Sequence, residues 1–177
     1  NFAELYPDLV QGVILVDPIS EEALSENKDY MKQYSSQKTS RFIQKCGSYF
    51  GLTSIMNKFG MLKNTNGLRE NLSNENFKVY NILRTKSDFN SGYYSELTNI
   101  LEQNSSSQKS DLLNGKPLSI IVNDNAFIKE QENLKKLTLD NKVQIINANN
   151  KTDVIPLEKP ELFLDSIRFI EDNSSKG

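Results

Sequence analysis

The residue of this sequence best placed for chemistry is Asp17, which directly follows the apolar run Val13–Val16. That run lies between Gly12 and Pro18, and an unbroken apolar run of this kind is typical of a strand covered on both faces in a parallel sheet. In open α/β sheets, ligands bind beyond the carboxyl ends of the strands. The sequence therefore predicts a carboxylate at the functional edge of a parallel sheet.

Side chains that most nucleophilic and metal sites require are scarce. The chain has no histidine and a single cysteine, Cys46. Without an imidazole, no Ser-His-Asp or Cys-His machinery can be assembled on this chain alone, so we interpret Cys46 as a small buried filler. The carboxylates are scattered over predicted helix surfaces without His or Cys, and the sequence indicates neither a metal site nor a cofactor.

Composition excludes several classes of partner. The chain has 177 residues and a formal net charge of -2, and no basic stripe points to nucleic acid. No apolar run approaches the roughly 20 residues that span a bilayer, and no signal peptide is visible. A lone cysteine offers no disulfide framework, so we expect a reducing, cytoplasmic location.

The remaining patterns predict an α/β fold with an inserted helical segment. Further buried strands are predicted at Leu118–Val122 and from Lys142 to Ala148. A last helix is expected to open at Pro160, and a helix over Phe2–Tyr6 should end at Pro7. We expect a parallel sheet with flanking helices in residues 1–19 and 111–177, and an all-helical cap in residues 20–110.

The most apolar part of the predicted cap runs from Tyr49 to Leu62 and has the spacing of one amphipathic helix. Its aromatic and methionine stripe has two interpretations. The stripe packs inside the helical cap, or part of it roofs an apolar substrate pocket that takes a hydrophobic small molecule. The side chains assigned to such a pocket are Tyr49, Phe50, Met56 and Phe59.

Several segments, in this order, resemble the α/β-hydrolase fold. The segment Phe2–Asp17 resembles the helix after the nucleophile elbow and the sixth strand of that family, and Lys116–Val122 resembles the seventh. Lys142–Ile146 and Asp153–Ile167 resemble the eighth strand, the catalytic-histidine loop and the final helix. The resemblance implies the C-terminal portion of an esterase-like serine hydrolase, with a partial sheet of three strands.

Carried over residue by residue, the resemblance implies an incomplete active site. The family's Gly-x-Ser-x-Gly elbow would precede Asn1, and its histidine falls on Asp153. An aspartate, whose ordinary pKa is about 4, is a poor base for a serine hydroxyl. For the acid we favour Asp17, with Asp124 after the second predicted strand as the alternative.

We therefore expect this chain by itself to be catalytically inactive. The alternative is a non-enzymatic ligand-binding or interaction protein on a degenerate hydrolase scaffold, with the aromatic cap as its ligand surface.

The same resemblance makes the edge of the first strand conspicuous. In the family a fifth strand pairs with the sixth, so Gly12–Val16 is expected to be an exposed apolar edge. A missing N-terminal half or self-association would then cover that edge. Because the chain starts with Asn1 in a predicted helix, we expect a fragment or a processed product.

Overall fold

The structure is a computed structural model that describes residues 2–20, 28–62, 67–102, 110–123, 133–149 and 154–174. The chain divides into two compact units. The α/β unit comprises Asn1–Glu22 and Ser107–Gly177, and the helical unit comprises Ala23–Ser106. The predicted roles of a hydrolase core and its cap stay predictions.

Helices flank the strands and make up the helical unit. In chain order they are α1 Phe2–Leu5, α2 Lys28–Tyr49, α3 Leu52–Lys58, α4 Leu68–Asn71, α5 Asn74–Leu83, α6 Ser87–Glu102, α7 Ile155–Glu158 and α8 Pro160–Ser174. Short 3-10 segments lie at Pro7–Leu9, Asn133–Leu137 and Asp140–Lys142. The predicted helix stop at Pro7 and the predicted helix start at Pro160 are confirmed.

The α/β unit contains a parallel sheet. Its strands are β1 Val13–Val16, β2 Leu118–Val122 and β3 Val143–Asn147, in the spatial order β1-β2-β3. Every residue of the central strand β2 is buried, Ser119 included, as expected of a mainly apolar strand at the centre of a parallel sheet. The predicted α/β class and parallel sheet are confirmed; the third strand is one residue shorter at each end than expected.

Each face of the sheet has its own apolar cluster, because side chains alternate along a strand. On one face, Ile120 and its neighbours on β2 pack with Leu134 and with Ala3 of α1. On the other face, Ile121 packs with residues of α7 and α8, including Ile155 and Phe163. The carboxyl ends of the strands are thus held in register by a core on both sides.

In the helical unit, α2 packs along α6, and the rings of Phe42 and Tyr94 lie 5.6 Å apart across this contact. Arg84 is only 7% exposed, and its guanidinium lies 5.3 Å from the centre of the Tyr80 ring. Burial lowers the pKa of Arg84 from its ordinary value, because desolvation penalises the charged form.

Two expectations about the helical unit are wrong. A single helix from Tyr49 to Leu62 is not formed: α2 ends at Tyr49, Gly51 adopts φ +73°, and α3 begins at Leu52. Glycine adopts this left-handed conformation without a steric cost, which permits the break. Cys46 is exposed and not a buried filler, because it lies on a side of α2 that faces solvent.

Candidate functional site at the carboxyl edge of the sheet

Asp17 stands where β1 ends. Its backbone N–H still donates to the carbonyl oxygen of Ile121 at 2.7 Å, whereas its φ of +44° turns the chain out of the strand. Aspartate is one of the few residues with a side chain that visit this left-handed region readily. The turn leaves the Asp17 side chain exposed at the carboxyl edge of the sheet.

The Asp17 carboxylate reaches the end of the neighbouring strand. Its Oδ1 accepts a hydrogen bond from the backbone N–H of Asn123, the first residue after β2, at 3.4 Å. Charge-assisted hydrogen bonds to carboxylates are usually about 2.7–2.9 Å long, so this contact is a weak one. It ties the ends of β1 and β2 together, as expected of a carboxylate that holds a loop.

A second set of hydrogen bonds holds the chain where it leaves β3. The N–H of Ala148 donates to the carbonyl of Val122 at 2.8 Å, and Asn147 Oδ1 accepts from the N–H of Asn149, also at 2.8 Å. Lys159, at the start of α8, donates through Nζ to the carbonyl of Ala148. Among the described residues, this edge of the sheet therefore combines a carboxylate, amides and the ammonium group of Lys159.

Lys159 and a buried pair of serines, Ser119 and Ser166, were not identified from the sequence. Lys159 stands directly before the helix-opening Pro160, and that position was its only available signal. The buried Ser119 Oγ donates to Ser166 Oγ at 2.8 Å, and Ser166 Oγ donates to the carbonyl of Leu162 at 2.8 Å. Both serines are 0% exposed, so this pair joins β2 to α8 and is not accessible to a substrate.

The other predicted acidic residues, Asp124 and Asp153, lie outside the described residues. Their position relative to Asp17 stays a prediction. Among the residues that the structure describes, no group of three or more His, Cys, Asp or Glu side chains is arranged to hold a metal ion.

Of the predicted pocket residues of the cap, Tyr49 ends α2 and Phe50 follows it, whereas Met56 lies within α3 and Phe59 directly follows α3. Tyr49, Phe50 and Phe59 are 64%, 81% and 75% exposed, while Met56 is half-buried. The hydroxyl of Tyr49 lies 3.2 Å from Ser91 Oγ. Side chains this exposed do not enclose a ligand by themselves, and their role in a substrate pocket stays a prediction.

A groove of about 520 Å³ lies at the opposite, amino edge of the sheet. Polar residues dominate its lining, among them Asp8, Gln11, Lys116 and Lys142. Because open α/β sheets bind their ligands beyond the carboxyl ends of the strands, this groove is not the counterpart of the Asp17 site.

The chain matches no protein-family model, no curated protein and no solved structure. Within the described ranges, no helix is both long enough and apolar enough to cross a bilayer.

Proposed function

We propose that this chain is the C-terminal part of an α/β-hydrolase-type scaffold, descended from an esterase-like serine hydrolase, that does not hydrolyse esters by itself. The observation that supports this proposal is the arrangement of the sheet. Three parallel strands lie in sequential order, a helical unit is inserted between β1 and β2, and Asp17 lies at the carboxyl edge. The resemblance to the sixth, seventh and eighth strands of the family requires this same order.

The inferred inactivity follows from the chemistry of acyl transfer. A serine hydroxyl needs a general base to accept its proton and an acid that later protonates the leaving group, and an imidazole performs both tasks. No histidine occurs anywhere in the sequence. Aspartate in general, with a reference pKa of about 4, takes up a hydroxyl proton poorly near neutral pH, so an aspartate in the histidine's position is a poor substitute for the imidazole. Asp17 would then be an acid without an imidazole to orient.

The test is hydrolysis of p-nitrophenyl acetate and butyrate by the purified chain, with Asp17→Asn as the matched control. We expect the two proteins to give the same rate, no faster than the buffer. Saturable hydrolysis that survives repurification contradicts the proposal, and its loss in the Asp17→Asn variant would assign that activity to Asp17.

A second candidate function is ligand binding without chemistry. The observation that favours it is the high exposure of two aromatic side chains at the two ends of α3, Phe50 and Phe59. The probe is 1-anilinonaphthalene-8-sulfonate, whose fluorescence rises on apolar surfaces. The double variant Phe50→Ser, Phe59→Ser should lose most of the fluorescence gain, whereas Phe2→Ser in the α/β unit should keep it. Equal signals from both variants count against this function.

A further inference from the structure

The groove of about 520 Å³ at the amino edge of the sheet is lined by segments that lead into all three strands. Asp8 and Gln11 precede β1. Lys116 precedes β2, and Lys142 directly precedes β3. Ser174, the last residue of α8, also lines the groove. This volume lies within the range of small-molecule sites, about 300–1,000 Å³, and the lining does not include the outer edge of β1.

Hydrogen bonds fix the backbone around Lys116 from two sides. Its N–H donates to the carbonyl of Leu113 at 3.0 Å, and its carbonyl accepts from Oγ1 of the buried Thr138 at 2.7 Å. The turn before Lys116 is closed by Asp111 Oδ1, which accepts from the N–H of Gly115 at 3.1 Å. A wall that is already ordered binds a ligand without the cost of ordering it.

Two ammonium groups of the groove, those of Lys116 and Lys142, have no partner among the residues that the structure describes. Both side chains are half-buried. Leu118 of β2 pairs with Val143 of β3, and neighbouring strands lie about 4.8 Å apart, so the two lysines stand at the ends of adjacent strands. Neighbouring like charges disfavour each other, and an anion between them relieves that repulsion.

We propose that this groove binds a small organic phosphate, with the phosphoryl group between the ammonium groups of Lys116 and Lys142. A phosphate monoester carries close to two negative charges near neutral pH and balances both lysines, whereas one carboxylate balances only one of them. Lysine binds phosphate as a point charge and needs no bidentate geometry. The site goes beyond the proposed function, because it lies at the opposite edge of the sheet from Asp17.

The rest of the lining indicates that the ligand also carries hydroxyl groups. The side chains of Gln11, Asn114 and Ser174 line the groove, and each of them both donates and accepts hydrogen bonds. The carboxylate of Asp8 only accepts, and its charge repels a bare phosphate ion. A phosphorylated polyol supplies donors to Asp8 and keeps its phosphoryl group on the side of the lysines.

The test titrates the full chain with glycerol phosphate, inorganic phosphate and glycerol at constant ionic strength and follows the backbone amide signals by NMR. The signals of Gln11, Gly115 and Lys142 should shift saturably with glycerol phosphate. Those of Asn123 and Ala148, at the carboxyl edge, should not move. Glycerol phosphate should bind about 3- to 10-fold more tightly than inorganic phosphate, because its hydroxyl groups add hydrogen bonds to a carboxylate. Glycerol alone should cause no shift.

Substitutions separate the two lysines from a general effect of charge. Lys116→Gln and Lys142→Gln should each raise the dissociation constant of glycerol phosphate about 10-fold, because each removes one charge-assisted contact. Lys78→Gln is the matched control, since it changes the net charge equally at an exposed position of α5, and it should leave the constant unchanged. Asp8→Ala should remove the preference for glycerol phosphate over inorganic phosphate.

The wild-type titration decides the matter even if a variant does not fold. Absence of a saturable shift with glycerol phosphate overturns the proposal. Equal weakening by Lys78→Gln and Lys116→Gln also overturns it, because the binding would then follow net charge alone. A wild-type chain that binds inorganic phosphate as tightly as glycerol phosphate overturns the assignment of an organic ligand. Ester hydrolysis is not read out in this experiment, so its result is independent of the test at Asp17.

Discussion

Gly12 is the position where a single methyl group should disturb the α/β unit most directly. A Cβ atom at this position would lie 2.6 Å from Ile170 Cγ2 of α8 and 2.9 Å from the carbonyl oxygen of Pro117. The carbonyl is backbone and already accepts the N–H of Val13 at 3.0 Å. The Ile170 side chain is β-branched and stiff at χ1. Neither the Pro117 carbonyl nor the Ile170 side chain can rotate away from a Cβ at residue 12, so α8 or the start of β1 must move.

We expect Gly12→Ala to destabilise the α/β unit by about 1–3 kcal/mol, the usual cost of inserting a methyl group into a packed site. The same substitution at Gly92 provides the control, because a Cβ there meets no atom within 4 Å. Gly92 lies inside α6, where replacing glycine by alanine should stabilise the helical unit by about 0.5–1 kcal/mol. The two glycines should therefore respond with opposite signs.

The assay must report each unit by itself, because two compact units need not unfold together. Native-state hydrogen exchange at the amides of Ile120 and Ile121, in the buried strand β2, reports the α/β unit. Gly12→Ala should speed their exchange about 5- to 150-fold, the equivalent of 1–3 kcal/mol, and Gly92→Ala should leave it unchanged. A Gly12→Ala chain whose β2 amides exchange at the wild-type rate refutes the reasoning.

Three further substitutions test buried or strained positions. Thr53→Val removes the hydroxyl that donates to the Thr85 carbonyl at 2.9 Å, and it should lower the free energy of unfolding of the helical unit by about 1–3 kcal/mol in urea. Thr53→Ser keeps the hydroxyl and should retain most of this stability. An equal loss of stability in both variants would count against a role for the hydrogen bond. Ser166→Ala leaves the buried Ser119 hydroxyl with a Gln144 partner only at 3.5 Å, so it should cost about 1 kcal/mol or more, while adding Ser119→Ala should cost nothing further. Asp17→Val should destabilise the chain by about 1–2 kcal/mol through its left-handed backbone, and Asp17→Asn should not; equal melting temperatures for the two variants would exclude strain at this position.

The sequence by itself determined the strands and the last helix of the α/β unit. Val13–Val16 and Leu118–Val122 were predicted with the bounds that the structure has, because short, mainly apolar segments that lie between Gly, Pro and polar residues have distinct ends. Pro160 fixed the start of α8 for a similarly local reason, since its ring favours the first helical turn. The break between α2 and α3 at Gly51 was not predicted, because the sequence around Gly51 was equally compatible with a continuing helix.

Tertiary structure alone decided which groups meet. The register of β1 on β2 depends on contacts between residues more than 100 positions apart, such as the pair Val13 and Leu118. The contact of Asp17 with Asn123 and the buried Ser119–Ser166 pair have the same origin. Periodicity records which side of an element is buried, but not what is buried against it. The sequence therefore suggested a functional carboxylate at Asp17, whereas the contact of Asp17 with Asn123 was visible only in the folded sheet.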